Sequence, residues 1–324
     1  MIAHLVEPAL GRVSGGLRYN AALAAVRPGI LRHSAPGRWP DPTGADVAVL
    51  HSTLDGLRGP VIIDGLIGCC LPVPISRDEP VVQLVHAPLG SDDPAARERE
   101  RANLAAATAV VTTSRFAARE IARLYDIEAV AIPPGVDARP AAAGGDGGRL
   151  ASVGSIEENK NPLFLAEVLA ALARTGVTGW HCTFAGPVTD PVYGERLSTA
   201  LDALPAGSVD LPGELDPAAL DALYRRTDLL LLPSRRETYG MVVAEASAAG
   251  IPAFVTAGTG AEEALTAGRA LPLDVARWES ALRDWLGDPA ARDALRGKAL
   301  AARSGLRTWE DVGLELCTLV GGLS

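Results

Sequence analysis

The sequence lacks an uninterrupted apolar run of about eighteen residues, the length that a membrane-spanning helix requires. It also lacks a secretory leader before its first apolar segment, MIAHLV, so we expect a cytoplasmic protein without an integral membrane segment. Cysteine is scarce, and the four cysteines are Cys69, Cys70, Cys182 and Cys317. Their spacing fits no metal site, and the adjacent Cys69 and Cys70 are poorly placed to pair with each other. We therefore expect small, reduced core residues.

Basic residues are also fewer than acidic ones. The chain has 30 Lys and Arg against 39 Asp and Glu, which gives a formal net charge of −9 and a pI near 5.1. This balance argues against a nucleic-acid partner, which requires a basic surface, and weakens the case for adhesion to anionic lipid. No Asp-x-Asp motif occurs, so the sequence does not imply a divalent metal.

What the sequence does contain is a long alternation of short apolar runs and amphipathic stretches, which is typical of βαβ units with a parallel sheet. Its 324 residues, of which 48% are hydrophobic, suffice for two cores in two domains of about 150 residues each. The strands predicted in the first half are MIAHLV, DVAVLHS, PVIIDG, VVQLVH, AVVTTS and AVAIPP. The helices predicted there include 93–107, with Asp92 or Asp93 as cap and Pro94 in the first turn, and 115–126.

Residues 133–149 interrupt this alternation with Pro, Gly and Ala and offer almost nothing to bury. We predict a linker at 139–149, between an acceptor-side domain at 1–138 and a second domain at 150–306. Residues 307–324 are apolar enough to form a helix that packs back toward the first domain.

The alternation restarts after the linker. Its predicted strands are LASVG, GWHCTFAG, SVDLPG, DLLLLPS and IPAFVT, and its predicted helices include 161–174, 191–204 and 217–226. The predicted fold is α/β, with two doubly wound, Rossmann-like domains facing each other across a cleft.

Polar residues close four of the apolar runs in the first half, namely His51, Asp64, His86 and Ser114. Ligands of doubly wound sheets bind at the carboxyl ends of the strands, so these residues are candidates for a binding site. For any single one, a strand that ends in a polar residue at the surface is the better explanation. Together they favour a cleft, with His51, Asp64 and Ser114 on its acceptor side.

The stretch SRRETYGMVVAEASAAG, at residues 234–250, places one glutamate in a turn and another in the helix that follows. Glu237 lies in the turn and Glu245 lies in the helix, with Gly240 between them. The N–H groups of Tyr239 to Val242, at the start of the helix, can hold a phosphate. Alternatively, both glutamates are solvated surface charges, which is common at this spacing.

In its wider context, DLLLLPSRRETYGMVVAEASAAGIPAFVT resembles the Glu-x7-Glu signature of retaining glycosyltransferases of the GT-B fold, family GT4. Further matches follow in the order of that family: SGGLRYNAAL at 14–23, VVTTSRFAARE at 110–120, PPGVD at 133–137, VGSIEENKN at 153–161 and LPGELDPAALDALYRRTDLLLLPS. The resemblance implies transfer of a hexosyl group from a nucleoside-diphosphate sugar, such as a UDP- or GDP-sugar, to the hydroxyl of an unidentified acceptor.

The resemblance also implies roles for individual residues. Glu237 and His86 would be catalytic, with Glu237 beside the transferred sugar and Glu245 on the ribose. The other donor-binding residues would be Gly15, Gly16, Ser155, Lys160, Gly213, Leu215, Tyr239, Gly240, Met241 and Val242. Within this set, Lys160, the Gly15–Gly16 loop and the helix start would hold the diphosphate, and Gly213 to Leu215 would meet the base. The leaving phosphate would itself accept the proton of the acceptor, and neither a metal nor another cofactor is implied.

One residue departs from the family pattern, since Ser155 stands where an arginine usually follows Val-Gly. Without that arginine, the diphosphate loses stabilisation unless another cation such as Arg236 or Arg12 replaces it. This leaves a non-catalytic sugar-nucleotide-binding protein of the same fold as an alternative. An NAD-dependent dehydrogenase is disfavoured because the first turn has no clean Gly-x-Gly-x-x-Gly, and no motif of a phosphorylase or epimerase is present.

Overall fold

The computed structural model describes residues 2–11, 14–90 and 93–323. The chain divides into two compact units. Unit 1 comprises Met1–Gly135 and Arg307–Ser324, and unit 2 comprises Val136–Leu306. Arg12 and Asp92, for which the sequence suggested roles, lie outside the described residues.

In the described part of unit 1, six parallel strands form one sheet in the order β2-β1-β3-β4-β5-β6. The strands are β1 (Ala3–Pro8), β2 (Ile30–Ala35), β3 (Val61–Asp64), β4 (Val81–Val85), β5 (Ala109–Thr112) and β6 (Val130–Ala131). The helices between them are α1 (Gly15–Val26), α2 (Gly44–Asp55), α3 (Gly65–Gly68), α4 (Pro94–Ala105) and α5 (Arg115–Tyr125). The predicted strands MIAHLV, PVIIDG, VVQLVH, AVVTTS and AVAIPP are confirmed.

The predicted strand DVAVLHS is wrong, because this segment belongs to α2. Thr43 and Asp46 form a reciprocal capping box that satisfies N–H groups at the helix start. Leu50 and Leu54 are four residues apart and therefore share the buried face of the helix. His51 lies exposed on this helix instead of at the end of a strand.

The strand that the sequence analysis missed is β2, ILRHSA. It lies at the edge of the sheet, and its four central residues are exposed or half-buried. A strand that faces solvent in this way lacks the continuous apolar run by which buried parallel strands are found.

In the described part of unit 2, six parallel strands form a second sheet in the order β12-β11-β10-β7-β8-β9. The strands are β7 (Arg149–Val153), β8 (His181–Ala185), β9 (Val209–Gly213), β10 (Leu229–Leu232), β11 (Ala253–Thr256) and β12 (Gly268–Leu271). The helices are α6 (Pro162–Arg174), α7 (Pro191–Asp202), α8 (Pro217–Arg226), α9 (Met241–Ala248), α10 (Ala261–Ala264), α11 (Val275–Gly287) and α12 (Pro289–Ala302). The expectation of a parallel, doubly wound sheet in each half is confirmed.

Helices cover both faces of the unit 2 sheet. On one face, α6, α7 and α11 enclose a core that includes Phe184, Phe254, Trp278 and Trp285. On the other face, α8 and α9 pack through side chains such as Tyr224 and Val243. Of these two helices, α9 carries Glu245, so its packing on the sheet fixes the position of that carboxylate.

Aspartate followed by proline starts several of the described helices. The aspartates Asp93, Asp190, Asp216 and Asp288 each accept a backbone N–H of the first turn, and the next residue is the proline at the first helical position. Proline is well suited there because it lacks an N–H that would remain unpaired. The pair Asp216–Pro217 sets the start of α8 as the sequence predicts.

The segment predicted as a linker is packed within unit 2. Ala142 is buried, and its N–H donates to the carbonyl of Ala249 at 2.8 Å. The Arg303 guanidinium donates to the Arg139 carbonyl at 2.6 Å. The last helix, α13 (Trp309–Gly322), packs against α1 within unit 1, where Trp309 makes an edge-on contact with Tyr19.

No helix within residues 2–11, 14–90 and 93–323 has the length and apolar character needed to cross a membrane.

The assignment of α2 yields a stability test. In a buried strand Val49 and Leu50 would both be enclosed, whereas in α2 their side chains are 47% and 1% exposed. We expect Leu50→Ala to lower the free energy of unfolding by about 2–5 kcal/mol, because it leaves a cavity. We expect Val49→Ala to change it by less than about 0.5 kcal/mol. Urea unfolding of the full chain measures both values, and equal losses would contradict the helix.

Candidate active site

Two loops of unit 2 meet at the carboxyl edge of its sheet. One follows β7 and carries Lys160, and the other follows β10 and carries Glu237. The ammonium Nζ of Lys160 lies 2.7 Å from Oε2 of Glu237, and the Ser234 hydroxyl lies 3.3 Å from the same oxygen. The strands β7 and β10 pair directly, so their loops are neighbours. The Lys160 and Glu237 side chains are 27% and 12% exposed, which leaves them accessible to a ligand.

The start of α9 lies directly after this contact. Gly240 precedes the helix with φ of +81°, a left-handed conformation that favours glycine, and Met241 and Val242 are its first residues. No side chain in the described part of the chain forms a capping hydrogen bond there. The first-turn N–H groups and the helix dipole therefore make this end suited to an anion. Tyr239 lies in the turn immediately before Gly240.

Glu245 lies within α9 and is only 4% exposed. Its Oε2 accepts a hydrogen bond from the Tyr224 hydroxyl at 2.8 Å, and the Arg139 guanidinium lies 3.9 Å away. Arg139 also lies over the Tyr224 ring, 4.9 Å from its centre. Since Glu237 is also mostly buried, the interpretation of both glutamates as solvated surface charges is wrong.

The remaining donor-site candidates of unit 2 lie along the same sheet edge. Gly154, which precedes Ser155, donates its N–H to the Ala185 carbonyl at 2.9 Å. The next loop is joined in the same way, since the Gly186 N–H donates to the Gly213 carbonyl at 2.9 Å. Ser155 is half-buried and Gly213 ends β9. Leu215 is half-buried and packs against a small core beneath α8.

Unit 1 has its own polar cluster at the carboxyl edge of its sheet. Asp64 ends β3 and His86 follows β4, the neighbouring strand. Nε2 of His86 lies 3.3 Å from Oδ2 of Asp64 and 3.1 Å from Oδ1 of Asn20, while Nδ2 of Asn20 donates to Asp64 at 2.8 Å. With two acceptors in reach, Nε2 of His86 carries a hydrogen. The structure therefore brings Asp64 and His86 together.

The Gly15–Gly16 segment starts α1 beside this cluster. A Cβ atom on Gly16 would lie 2.7 Å from Cδ2 of His86, so only glycine permits this close approach. Asn20, which was not among the predicted site residues, lies one helical turn after Gly16 and is fully buried. Its position four residues after Gly16 within SGGLRYNAAL is the signal that would have pointed to it.

Of the other acceptor-side candidates, Ser114 follows β5, the strand next to β4, whereas His51 lies in α2. The Ser114 hydroxyl is buried and accepts the Ala117 N–H at 2.9 Å, which caps α5. It therefore has a structural role that the sequence did not predict. His51, as described above, is an exposed residue of α2. The inference that four polar residues end neighbouring strands is wrong for His51.

Asp64 is ionised more readily than an ordinary aspartate. Burial alone would raise its pKa, but the charge and hydrogen bond of His86 outweigh that effect, together with hydrogen bonds from the Leu66 N–H and Asn20. The pKa of Asp64 is therefore below its usual value. The site combines a carboxylate, an imidazole N–H and an amide, which can orient hydroxyl groups of a sugar.

Comparison with solved structures identifies the fold. Sucrose-phosphate synthase from Thermosynechococcus elongatus matches with a TM-score of 0.79 at 17% identity, over 99% of this chain and 98% of that chain. HepE of Anabaena, solved in complex with UDP and glucose, matches with a TM-score of 0.82 at 12% identity, over 99% and 100% of the two chains. These likenesses show the fold, which is that of the GT-B glycosyltransferases.

The sequence comparisons then give the family. A profile described as Glycosyl transferases group 1 matches residues 138–300, and the chain belongs to this GT4-type family. D-inositol 3-phosphate glycosyltransferase 1 of Catenulispora acidiphila is 29% identical over 316 residues, which cover 86% of this chain and 72% of that protein. Glycogen synthase of Mycobacterium tuberculosis is 34% identical over 169 residues, which cover 49% of this chain and 39% of that protein.

The pKa of Asp64 gives a prediction with a defined sign. Because its pKa is lowered in the folded state, its stabilisation is present above the unfolded pKa of about 4 and is lost as the pH falls through the folded pKa. We expect Asp64→Asn to lower the free energy of unfolding by about 2–3 kcal/mol at neutral pH. The difference in free energy of unfolding between Asp64→Asn and the unmodified protein should disappear below about pH 4. Urea unfolding across this pH range measures it.

Asp55→Asn serves as the control, because Asp55 lies exposed at the end of α2. If the difference in free energy of unfolding between Asp64→Asn and the unmodified protein stayed constant from neutral to acidic pH, the lowered pKa of Asp64 would be contradicted.

Proposed function

We propose that this protein is a retaining glycosyltransferase that moves a hexosyl group from a nucleoside-diphosphate sugar to an acceptor hydroxyl. The observation that carries the proposal is the contact between Lys160 and Glu237, directly before the start of α9, where no side chain of the described residues caps the helix. It sets a cation, a carboxylate and a helix N-terminus side by side. Membership of the glycosyltransferase family and the UDP and glucose in HepE support the same donor class.

The diphosphate of the donor is assigned to the start of α9 and Lys160. N–H groups of the first turn around Met241 and Val242 would donate to phosphate oxygens. Lys160 would move from Glu237 alone to a position shared with the phosphate, where it stabilises the negative charge that develops on the leaving group. Glu245 would accept hydrogen bonds from the ribose hydroxyls, with its position fixed by Tyr224. The backbone from Gly213 to Leu215 would meet the base.

The transfer step follows from these assignments. The bond between the anomeric carbon and the leaving phosphate oxygen breaks, and the electron pair stays with the phosphate. The acceptor oxygen bonds to the anomeric carbon on the same face, and its proton passes to the leaving phosphate. Glu237 would orient sugar hydroxyls and stabilise the positive charge on the sugar. This route needs neither a metal nor a second catalytic carboxylate.

The unit 1 cluster is assigned to recognition of sugar hydroxyl groups. The Nε2–H of His86 is held by Asp64 and Asn20, which leaves Nδ1 of its ring to meet a sugar hydroxyl. His86 is 18% exposed, which leaves its ring accessible at the surface of the unit.

A non-catalytic sugar-nucleotide-binding protein is the second candidate, and Ser155 favours it. With serine in place of the family arginine, the leaving diphosphate has one cation fewer. Sugar transfer or donor hydrolysis by the purified protein separates the two candidates. A protein that binds the donor but leaves it intact would be the sensor.

The two glutamates should differ in their effects. We expect Glu237→Gln to lower the turnover number about 100-fold or more while nucleotide still binds, because its charge acts in the transition state. We expect Glu245→Ala to weaken nucleotide affinity at least about tenfold, because ribose hydroxyls lose their acceptor. A transfer assay and calorimetric titration measure these effects.

Glu158→Gln is the matched control, since Glu158 lies in the loop after β7 with its side chain 73% exposed. If both site variants transferred sugar at the unmodified rate, the assigned roles would be wrong.

Restoring the family arginine tests the departure at Ser155. We expect Ser155→Arg to raise kcat/KM at least about tenfold, because a second cation then neutralises the leaving diphosphate. Arg236→Ala alone should lower turnover. Its effect should be smaller when it is combined with Ser155→Arg, because the introduced arginine then supplies the cation. Steady-state kinetics of both single variants and the double variant measure this. An unchanged kcat/KM for Ser155→Arg would show that the diphosphate does not depend on this position.

A further inference from the structure

We propose that Asn159 is a positioning residue, which clamps the two donor-site loops of unit 2 so that Lys160 and Glu237 face each other. The inference deepens the proposed function and rests on it for its catalytic consequence. It concerns a side chain that does not itself touch the reacting atoms.

Asn159 binds the backbone of the opposite loop through its main chain and through its side chain. Its carbonyl accepts the N–H of Arg235 at 2.8 Å. Its side-chain Oδ1 accepts the N–H of Arg236 at 3.1 Å, and its Nδ2 donates to the Arg236 carbonyl at 3.2 Å. The amide therefore satisfies both backbone polar groups of Arg236, as a neighbouring strand would. The next residues on each side, Lys160 and Glu237, form the ion pair.

Each loop is anchored separately on the side away from Asn159. In the loop after β7, the Asn161 N–H donates to the Glu157 carbonyl at 3.1 Å. The loop after β10 is held by the loop after β11, where the Gly260 N–H donates to the Glu237 carbonyl at 2.7 Å. These bonds hold the shape of each loop but do not join the two loops. The links between them are the main-chain bond from the Arg235 N–H to the Asn159 carbonyl and the two bonds of the Asn159 side-chain amide, with the ion pair beside them.

The other contact between these loops is weak by comparison. The guanidinium of Arg235 lies 3.8 Å from a carboxylate oxygen of Glu158, and the side chains are 55% and 73% exposed. Exposed pairs of this kind contribute little because water screens them and their side chains lose conformational freedom. The hydrogen bonds from the short Asn159 amide restrict the position of the opposite backbone more than this ion pair does, because they require a defined distance and angle.

The chemistry of the side chain explains the choice of asparagine. An amide offers an acceptor and a donor side by side on one small planar group, and the side chain of Asn is shorter than that of Gln. Aspartate would keep the bond from the Arg236 N–H but would set a carboxylate against the Arg236 carbonyl. Alanine would lose both side-chain bonds and keep only the main-chain bond to Arg235.

Kinetics and binding together test the clamp. The probe is whichever of UDP, GDP, ADP or dTDP binds the unmodified protein most tightly. We expect Asn159→Ala to lower kcat about tenfold or more, because Glu237 and Lys160 are displaced from each other by small shifts. The Kd of the nucleotide should rise by a smaller factor than kcat falls, because the start of α9 still holds the diphosphate while Lys160 is displaced. Asn159→Asp should give an intermediate kcat.

Thr189→Ala is the matched control. The Thr189 hydroxyl donates to the Glu157 carboxylate at 3.0 Å, so this variant loses a side-chain bond to the same loop without touching the Arg236 backbone. A fall in kcat of equal size in Asn159→Ala and Thr189→Ala, or no fall in either, would overturn the clamp. The clamp would also be overturned if Asn159→Ala lost activity only because the variant is unfolded at the assay temperature, as its melting curve would show.

A second measurement is independent of activity. The coupling between Lys160 and Glu237 is obtained from urea unfolding of Lys160→Met, Glu237→Gln and the double variant. We expect this coupling to fall by more than about half in the Asn159→Ala background, since the partners are then no longer held in place. A coupling that is the same with and without the Asn159→Ala substitution refutes the clamp. If the unmodified protein transfers no sugar but the coupling falls, the proposed function fails while the clamp stands.

Discussion

The ion pair between Lys160 and Glu237 depends on the pairing of β7 with β10. These strands are far apart in the chain, but they lie side by side in the sheet and run in the same direction. Their loops therefore leave the sheet at the same edge, which brings a cation and a carboxylate together at 2.7 Å. The start of α9 follows the second loop directly and adds the N–H groups of its first turn. The proposed phosphate site thus depends on strand pairing and helix polarity, and the side chains at the two loops complete it.

The same physical rule produces the cluster in unit 1, with different chemistry. Asp64 and His86 end neighbouring strands, and Asn20 joins them from α1. The buried carboxylate is stabilised because each hydrogen bond that it accepts favours its charged form. Without that compensation, burial of an ionised group would destabilise the fold. The cluster can therefore keep a charged acceptor at a surface-accessible histidine.

The sequence predicts those features that depend on local chemistry. Asp-Pro pairs mark helix starts, Gly240 marks the turn before α9, and apolar runs mark the buried strands. The interpretation of DVAVLHS failed because its apolar residues fit a strand as well as the face of a helix, and the capping box that decides between them lies in Thr43 and Asp46. Tyr224 and Asn159 were not predicted, because each contacts its site only through tertiary packing. Asn20 was missed although its position four residues after Gly16 is visible in the sequence. Ser155 is visible in the sequence, but its effect depends on which other cation reaches the diphosphate.

The central claim is that unit 2 holds a nucleoside diphosphate at Lys160 and the start of α9. The most direct measurement is the melting temperature of the protein with UDP, GDP, ADP, dTDP and NAD, for the unmodified chain and for Lys160→Met. Because a ligand that binds only the folded state raises the melting temperature, at least one nucleoside diphosphate should raise it in the unmodified chain and much less in the variant. A rise with NAD alone, or a nucleotide shift of equal size in Lys160→Met, would contradict the account.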